Sequence, residues 1–246
     1  MKTITFHSYK GGTGKSYLSS NLAAIFAAKE KVCLLDVDLT APTLQSLFDL
    51  EDQDVWLNDY LEGECEIDDV LCRVREGNLF LGMANPHPEA IRASLGKSKE
   101  REMRTLKRML SIKESLAGDG FDRLILDTSP GYEYSSINSI ATADRVGIVT
   151  TLYRPDMVGS KAMIVGLYEV LEKPSFMVIN RYHNESRLEE FKSDVGDVFK
   201  GAVYGMKCFC DEAEELGNMI ITLESPDHPL SLSFKLLVEN IDIVFV

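Results

Sequence analysis

Between Lys10 and Ser16 the chain reads Lys-Gly-Gly-Thr-Gly-Lys-Ser, and this loop joins a short strand pattern to a long helical one. Upstream, Thr3-Ile4-Thr5-Phe6 is β-branched and aromatic, as a buried strand should be. Downstream, Leu18, Leu22, Ile25 and Phe26 recur at helical spacing with alanines between them. Gly11, Gly12 and Gly14 let the backbone turn its N–H groups inward without Cβ clashes. The free N–H groups and positive dipole end of the helix then favour an anion. Strand, glycine loop and helix in that order predict a phosphate-binding loop over Gly11, Gly12, Thr13 and Gly14. Lys15 is placed to reach β/γ-phosphates and Ser16 to ligate Mg²⁺. One position departs from the usual G-x-x-x-x-G-K-[ST] pattern: Tyr9 stands where the first glycine belongs.

Further along, apolar strand patterns end in polar residues. Val32-Cys33-Leu34-Leu35 runs into Asp36-Val37-Asp38, and the two-residue period of a strand points both carboxylates to one side. Arg123-Leu124-Ile125-Leu126 ends in Asp127, as a carboxylate holding Mg²⁺ through water does, and Pro130-Gly131 then forces a turn. Leu79–Met83, Val146–Thr151 and Ser175–Arg181 read as further strands, the last closing at Asn180. A helix pattern spans about Gly159 to Leu171. Alternating strands and helices with short joins predict one α/β domain over 1–246, a single P-loop NTPase unit. Its sheet is mostly parallel and twisted, with helices on both faces. Ligands in such sheets bind beyond the carboxyl ends of the strands, where all these polar residues fall.

Lys10 is the distinctive member of the loop. With Gly11, Gly12, Gly14, Lys15 and Ser16 it makes the segment resemble the deviant Walker A box, xKGGxGK[ST], of the MinD/ParA family of ATPases. That resemblance implies a Mg²⁺-dependent ATPase with slow, partner-stimulated turnover. It also implies an ATP-dependent face-to-face homodimer in which Lys10 contacts the partner's nucleotide phosphates. The segment after Asp36 then corresponds to switch I, with Asp38 orienting the attacking water; a strand-end aspartate capping a loop is the structural alternative. Asp36 reads equally as an outer Mg²⁺ ligand or as a loop cap. The Asp-x-x-Pro-Gly run from Asp127 corresponds to switch II, which makes Gly131 a candidate γ-phosphate sensor. Asn180 and Arg181 resemble the family's adenine-reading pair, and an Asn amide offers the donor and acceptor that N6 and N7 of adenine need. Tyr17 departs from the family's small hydroxyl residue, leaving only its backbone N–H for the α-phosphate.

Composition narrows the branches of that family. The net charge is −13 and the run from Asn184 to Val246 carries 5 Lys/Arg against 13 Asp/Glu, which argues against DNA binding. Arg92 to Lys113 is the one basic stretch; it reads as a solvated helix face or as a surface for an acidic partner or a membrane or DNA phosphate, with Met103, Leu106 and Leu110 facing the sheet. The tail from Val238 to Val246 is apolar with two acids and no Lys/Arg after Lys235, so it is expected to finish a core or pack on a partner rather than anchor to anionic lipid. No run approaches the ~20 apolar residues of a membrane span and the start resembles no signal peptide, so a cytoplasmic protein is expected, recruited to its location by a protein partner. Five cysteines argue against a disulfide framework. Cys208-Phe209-Cys210 keeps a second class open, an iron–sulfur or nickel metallocentre-assembly ATPase, against the plainer reading of packing or nucleotide-loop cysteines. The leading expectation is a MinD-like dimerisation switch for spatial positioning, acting with an activator or cargo protein.

Overall fold

The computed structural model describes residues 1–95, 98–208 and 220–244. Eight strands form one sheet in the order β3-β4-β2-β5-β1-β6-β7-β8: β1 Lys2–His7, β2 Val32–Asp36, β3 Leu71–Arg73, β4 Leu79–Gly82, β5 Arg123–Asp127, β6 Arg145–Thr150, β7 Ser175–Tyr182 and β8 Val203–Lys207. Every pairing is parallel except that of β3 with β4. Strands buried on both faces read as continuous apolar runs, and each such run in the sequence became one of the central strands.

Period-two alternation distributes each strand between two cores. Val32, Leu34, Ile4 and Phe6 join the core under α1 (Lys15–Phe26), α10 (Ile221–Glu224) and α11 (Pro229–Val244). Cys33, Leu35, Leu124 and Leu126 turn to the opposite face, against α6 (Lys99–Gly118). On that same face Ile148, Met177 and Ile179 pack beneath α8 (Arg154–Met163) and α9 (Glu185–Val195). Val238 and Ile241 of α11 lie in the first core; the side chains beyond Ile241 lie outside the described ones.

The structure departs from the local expectations at four points. Met103 and Leu110 of α6 are exposed, while Thr105, Met109, Ile112 and Leu116 are buried, so the packed face is rotated from the one the leucine spacing suggested. Each buried apolar side chain there contributes about 1.5–3 kcal/mol, which outweighs the exposure of two neighbours. Basic residues of the same stretch are spent internally: Arg101 on Glu62, Arg108 on the carbonyls of Tyr60 and Cys65, and Lys113 on Asp144. Secondly, β3 was not anticipated. The turn Val74–Gly77, with Arg75 at φ 51°, folds it back on β4 as a short hairpin directly after α4 (Ile67–Val70). Thirdly, β7 does not close at Asn180 but continues to Tyr182 through an irregularity in which Arg181 takes φ 55°. The helix anticipated from Gly159 starts earlier, at Arg154, and its end is a π turn, Ile164–Tyr168.

Candidate functional site

Among the described residues, those predicted for the nucleotide site gather at the carboxyl edge of the sheet, beyond β2, β5, β1 and β7. The loop leaves β1 and enters α1 through Gly14, whose φ of 87° suits glycine. A Cβ there would fall 2.4 Å from the Asn180 amide nitrogen, so the glycine also permits close approach of β7. No side chain caps α1, which leaves its first N–H groups to an anion. Lys10, Gly11 and Gly12 are exposed, whereas Thr13 and Lys15 are buried.

Lys15 Nζ lies 3.1 Å from Asp127 Oδ1, and both side chains are buried. The other oxygen of that carboxylate, Oδ2, is buried without a hydrogen-bond partner. An orphaned buried carboxylate oxygen costs several kcal/mol unless something binds it, and a hydrated cation beside Ser16 is the group that fits. Asp36 lies opposite Asp127 in the register of β2 and β5. It is fully buried, and that burial, followed by the charge of Asp127, pushes its carboxyl up to about 7. Asp36 Oδ2 accepts from the N–H groups of Thr43 and Leu44 at 2.9 and 3.0 Å, so it holds switch I from below. Among the described residues no group of three His, Cys, Asp or Glu side chains is placed to hold a metal ion.

Asp38 is buried, and its Oδ1 accepts from Thr40 Oγ1 at 3.0 Å, the Ala41 N–H at 3.0 Å and Ser129 Oγ at 2.9 Å. The Ser129 bond ties switch I to switch II directly. Ser129 was not singled out from the sequence, although its place two residues after Asp127 was a usable signal, because a strand's period turns both to one side. Gly131 takes φ 77°, and its N–H donates to Ser8 O at 2.9 Å. Its carbonyl accepts from His7 Nε2 at 2.8 Å, and His7 Nδ1 meets the Tyr168 hydroxyl at 2.7 Å. Nothing in the local sequence marked His7 or Tyr168, since their partners are more than a hundred residues away.

The two departures from the loop pattern have physical explanations. The Tyr9 ring lies over α8 at Gly159, where a Cβ would sit 1.9 Å from the ring; the missing first glycine is matched by a glycine on the neighbouring helix. Tyr17 packs its ring on Phe234 of α11 with centroids 6.1 Å apart, so its side chain belongs to the core and not to the phosphates. Asn180 Nδ2 donates to Thr13 O at 2.8 Å and its Oδ1 accepts from the Arg181 N–H. Arg181 Nη1 donates to Gly12 O at 3.2 Å. The pair therefore braces the loop, with one amide hydrogen of Asn180 still available to a base. The Cys208 N–H donates to Tyr182 O at the end of β8, while Cys210 lies outside the described residues.

Residues 1–175 match a family of AAA domains. The chain is 29% identical over 248 residues to a septum site-determining protein MinD of Oltmannsiellopsis viridis, covering 98% of this chain and 72% of that one. It spans only 52% and 50% of the MinD relatives from Nephroselmis olivacea and Chlorella vulgaris. Among solved structures, the cell division ATPase MinD of Pyrococcus furiosus superposes with a TM-score of 0.80 at 22% identity, covering 99% of both chains. MinD of Pyrococcus horikoshii, solved with Mg-ADP, gives 0.80 at 19% identity over 98% of this chain and 96% of that one. These relatives favour positioning ATPases over the metallocentre class. The chain belongs to this AAA family and, within it, to the MinD/ParA ATPases.

Proposed function

We propose that this chain binds and hydrolyses Mg²⁺–ATP and uses the γ-phosphate to hold a homodimer closed, timing the placement of a division or partition complex. The observation that carries this reading is the buried Lys15–Asp127 pair with its orphaned carboxylate oxygen at the mouth of an uncapped helix. A phosphate would draw Lys15 away from Asp127, and the released carboxylate would face the hydrated cation. Ser16 and, through water, Asp127 would hold Mg²⁺, with Asp36 behind them; the ion's role is to neutralise charge on the β- and γ-oxygens.

Asp38 orients the attacking water, held in place by Thr40, Ala41 and Ser129. Lys15 in cis and Lys10 in trans offset the charge that develops on the transferred group. Exposed Lys10 at the start of the loop suits a group that acts on a second subunit. Asn180 and Arg181 brace the loop and read the base. Loss of the γ-phosphate frees the switches and opens the dimer. Among the described residues no helix is long and apolar enough to cross a membrane, and the acidic carboxyl-terminal third repels lipid and DNA phosphates. A protein activator or cargo is therefore the partner we expect.

Sedimentation with saturating ATP and with ADP tests the reading. The wild type should dimerise with ATP alone, and Lys10→Ala should retain ATP binding while remaining a monomer. A wild type that stays monomeric with ATP overturns it.

A further inference from the structure

We infer that His7 is a positioning residue for switch II: it holds the Gly131 carbonyl as a fixed pivot about which the Gly131 N–H exchanges Ser8 for the γ-phosphate. This rests on the ATP-switch reading above and assigns a role to residues which that reading leaves unused.

Both backbone groups of Gly131 are committed to the end of β1. The N–H donates to Ser8 O at 2.9 Å and the carbonyl accepts from His7 Nε2 at 2.8 Å. In this conformation the Gly131 N–H cannot sense a γ-phosphate, because Ser8 already occupies it. The two groups belong to different peptide units, one on each side of the Gly131 Cα. Rotation at Gly131, which sits at φ 77° with no side chain, can therefore turn the Pro130–Gly131 unit while the Gly131–Tyr132 unit stays fixed.

The geometry also settles which nitrogen of His7 carries the proton. A carbonyl only accepts, so Nε2 must be the donor. Nδ1 is then bare and accepts from the Tyr168 hydroxyl at 2.7 Å. Burial pushes the imidazole down to about 4 and the Tyr168 phenol up, so a neutral ring faces an intact hydroxyl near neutral pH. His7 is wholly buried and Tyr168 nearly so. The π turn, Ile164–Tyr168, is the local irregularity that carries Tyr168 to this position.

The test uses the full chain and compares a non-hydrolysable ATP analogue with ADP by equilibrium binding, alongside sedimentation. His7→Leu should leave ADP affinity within about twofold, because the phosphate loop is untouched. Its preference for the γ-phosphate and its dimer fraction should fall about tenfold, the worth of one well-placed hydrogen bond. His7→Gln, whose amide reproduces the Nε2 donor, should restore most of the preference. A merely structural role would lower thermal stability in His7→Leu without changing the ratio of the two affinities. If His7→Leu does not fold, Tyr168→Phe decides, with an expected loss of about threefold in the same ratio. Nitrogen-15 spectra of the histidines should show the Nε2–H tautomer with and without nucleotide. Wild-type preference in either decisive variant, or an Nδ1–H tautomer, overturns the assignment. A wild type with no γ-phosphate preference overturns the ATP-switch reading instead, and the tautomer still reports on His7.

Discussion

Switch I and switch II leave neighbouring strands at the same level, from Asp36 of β2 and Asp127 of β5, yet they are held in different ways. Switch I is tied by its own carboxylates. Asp36 reaches seven and eight residues ahead to Thr43 and Leu44, and Asp38 reaches two and three ahead to Thr40 and Ala41. Switch II is tied by groups far away in sequence, His7 at the end of β1 and Ser8 just after it, with Ser129 linking it to Asp38. A locally tied loop keeps its shape when distant packing changes. A loop pinned from another strand answers to that strand, which is what a nucleotide-dependent switch needs.

The largest expected effect comes from cutting the one side chain both switches share. Asp38→Ala should lower ATP turnover by about a hundredfold or more while ATP-bound dimers accumulate. Steady-state phosphate release and sedimentation measure both, and unchanged turnover would remove the water-orienting role.

The two anchors should also carry opposite pH dependences. His7 sits near 4 in the fold against about 6.5 in the unfolded chain, so the unfolded state binds more protons between those values. Its contribution is complete above about 6.5 and is lost as pH falls towards 4, by about 3 kcal/mol. Denaturant titrations of His7→Gln should show that acid-side loss flattened. Asp36 is the reverse case. Its carboxyl sits near 7 in the fold and near 4 in the unfolded chain, so the fold holds the extra proton between them. Stability from this group is present in acid and is lost as pH rises through 7.

Asp36→Asn is the smallest effect. It removes the like charge facing Asp127 but turns an amide nitrogen towards the Asp38 N–H, a bond of 3.2 Å in the native carboxylate. The variant should be more stable than the wild type by about 1 kcal/mol at pH 8, with the gain gone by about pH 5. Equal stability at both values would mean that Asp36 does not feel Asp127.

Much of this edge was legible in the chain because its chemistry is local. The loop from Lys10 to Ser16, the carboxylates ending β2 and β5, and Asn180 near the end of β7 all occur where a strand pattern stops. The period of two then assigns their side. The rotation of α6 was not legible, since Met103 and Leu110 share helical spacing with the residues that are actually buried. Only the sheet below decides which stripe packs. Nor was the fit of Tyr9, because the glycine that admits its ring is Gly159, on another helix.

By itself, then, the sequence determined the loop, the apolar strand runs and the polar groups that end them. Hydrophobic period and glycine conformation act within a few residues. Tertiary structure alone decided that the Gly131 N–H is held by Ser8, that its carbonyl rests on His7 and so fixes the tautomer of that ring, and that the Tyr168 hydroxyl meets the other nitrogen. Those bonds join β1, switch II and a π turn across 124 and 161 positions. No pattern along the chain encodes such contacts until the sheet has brought the three together.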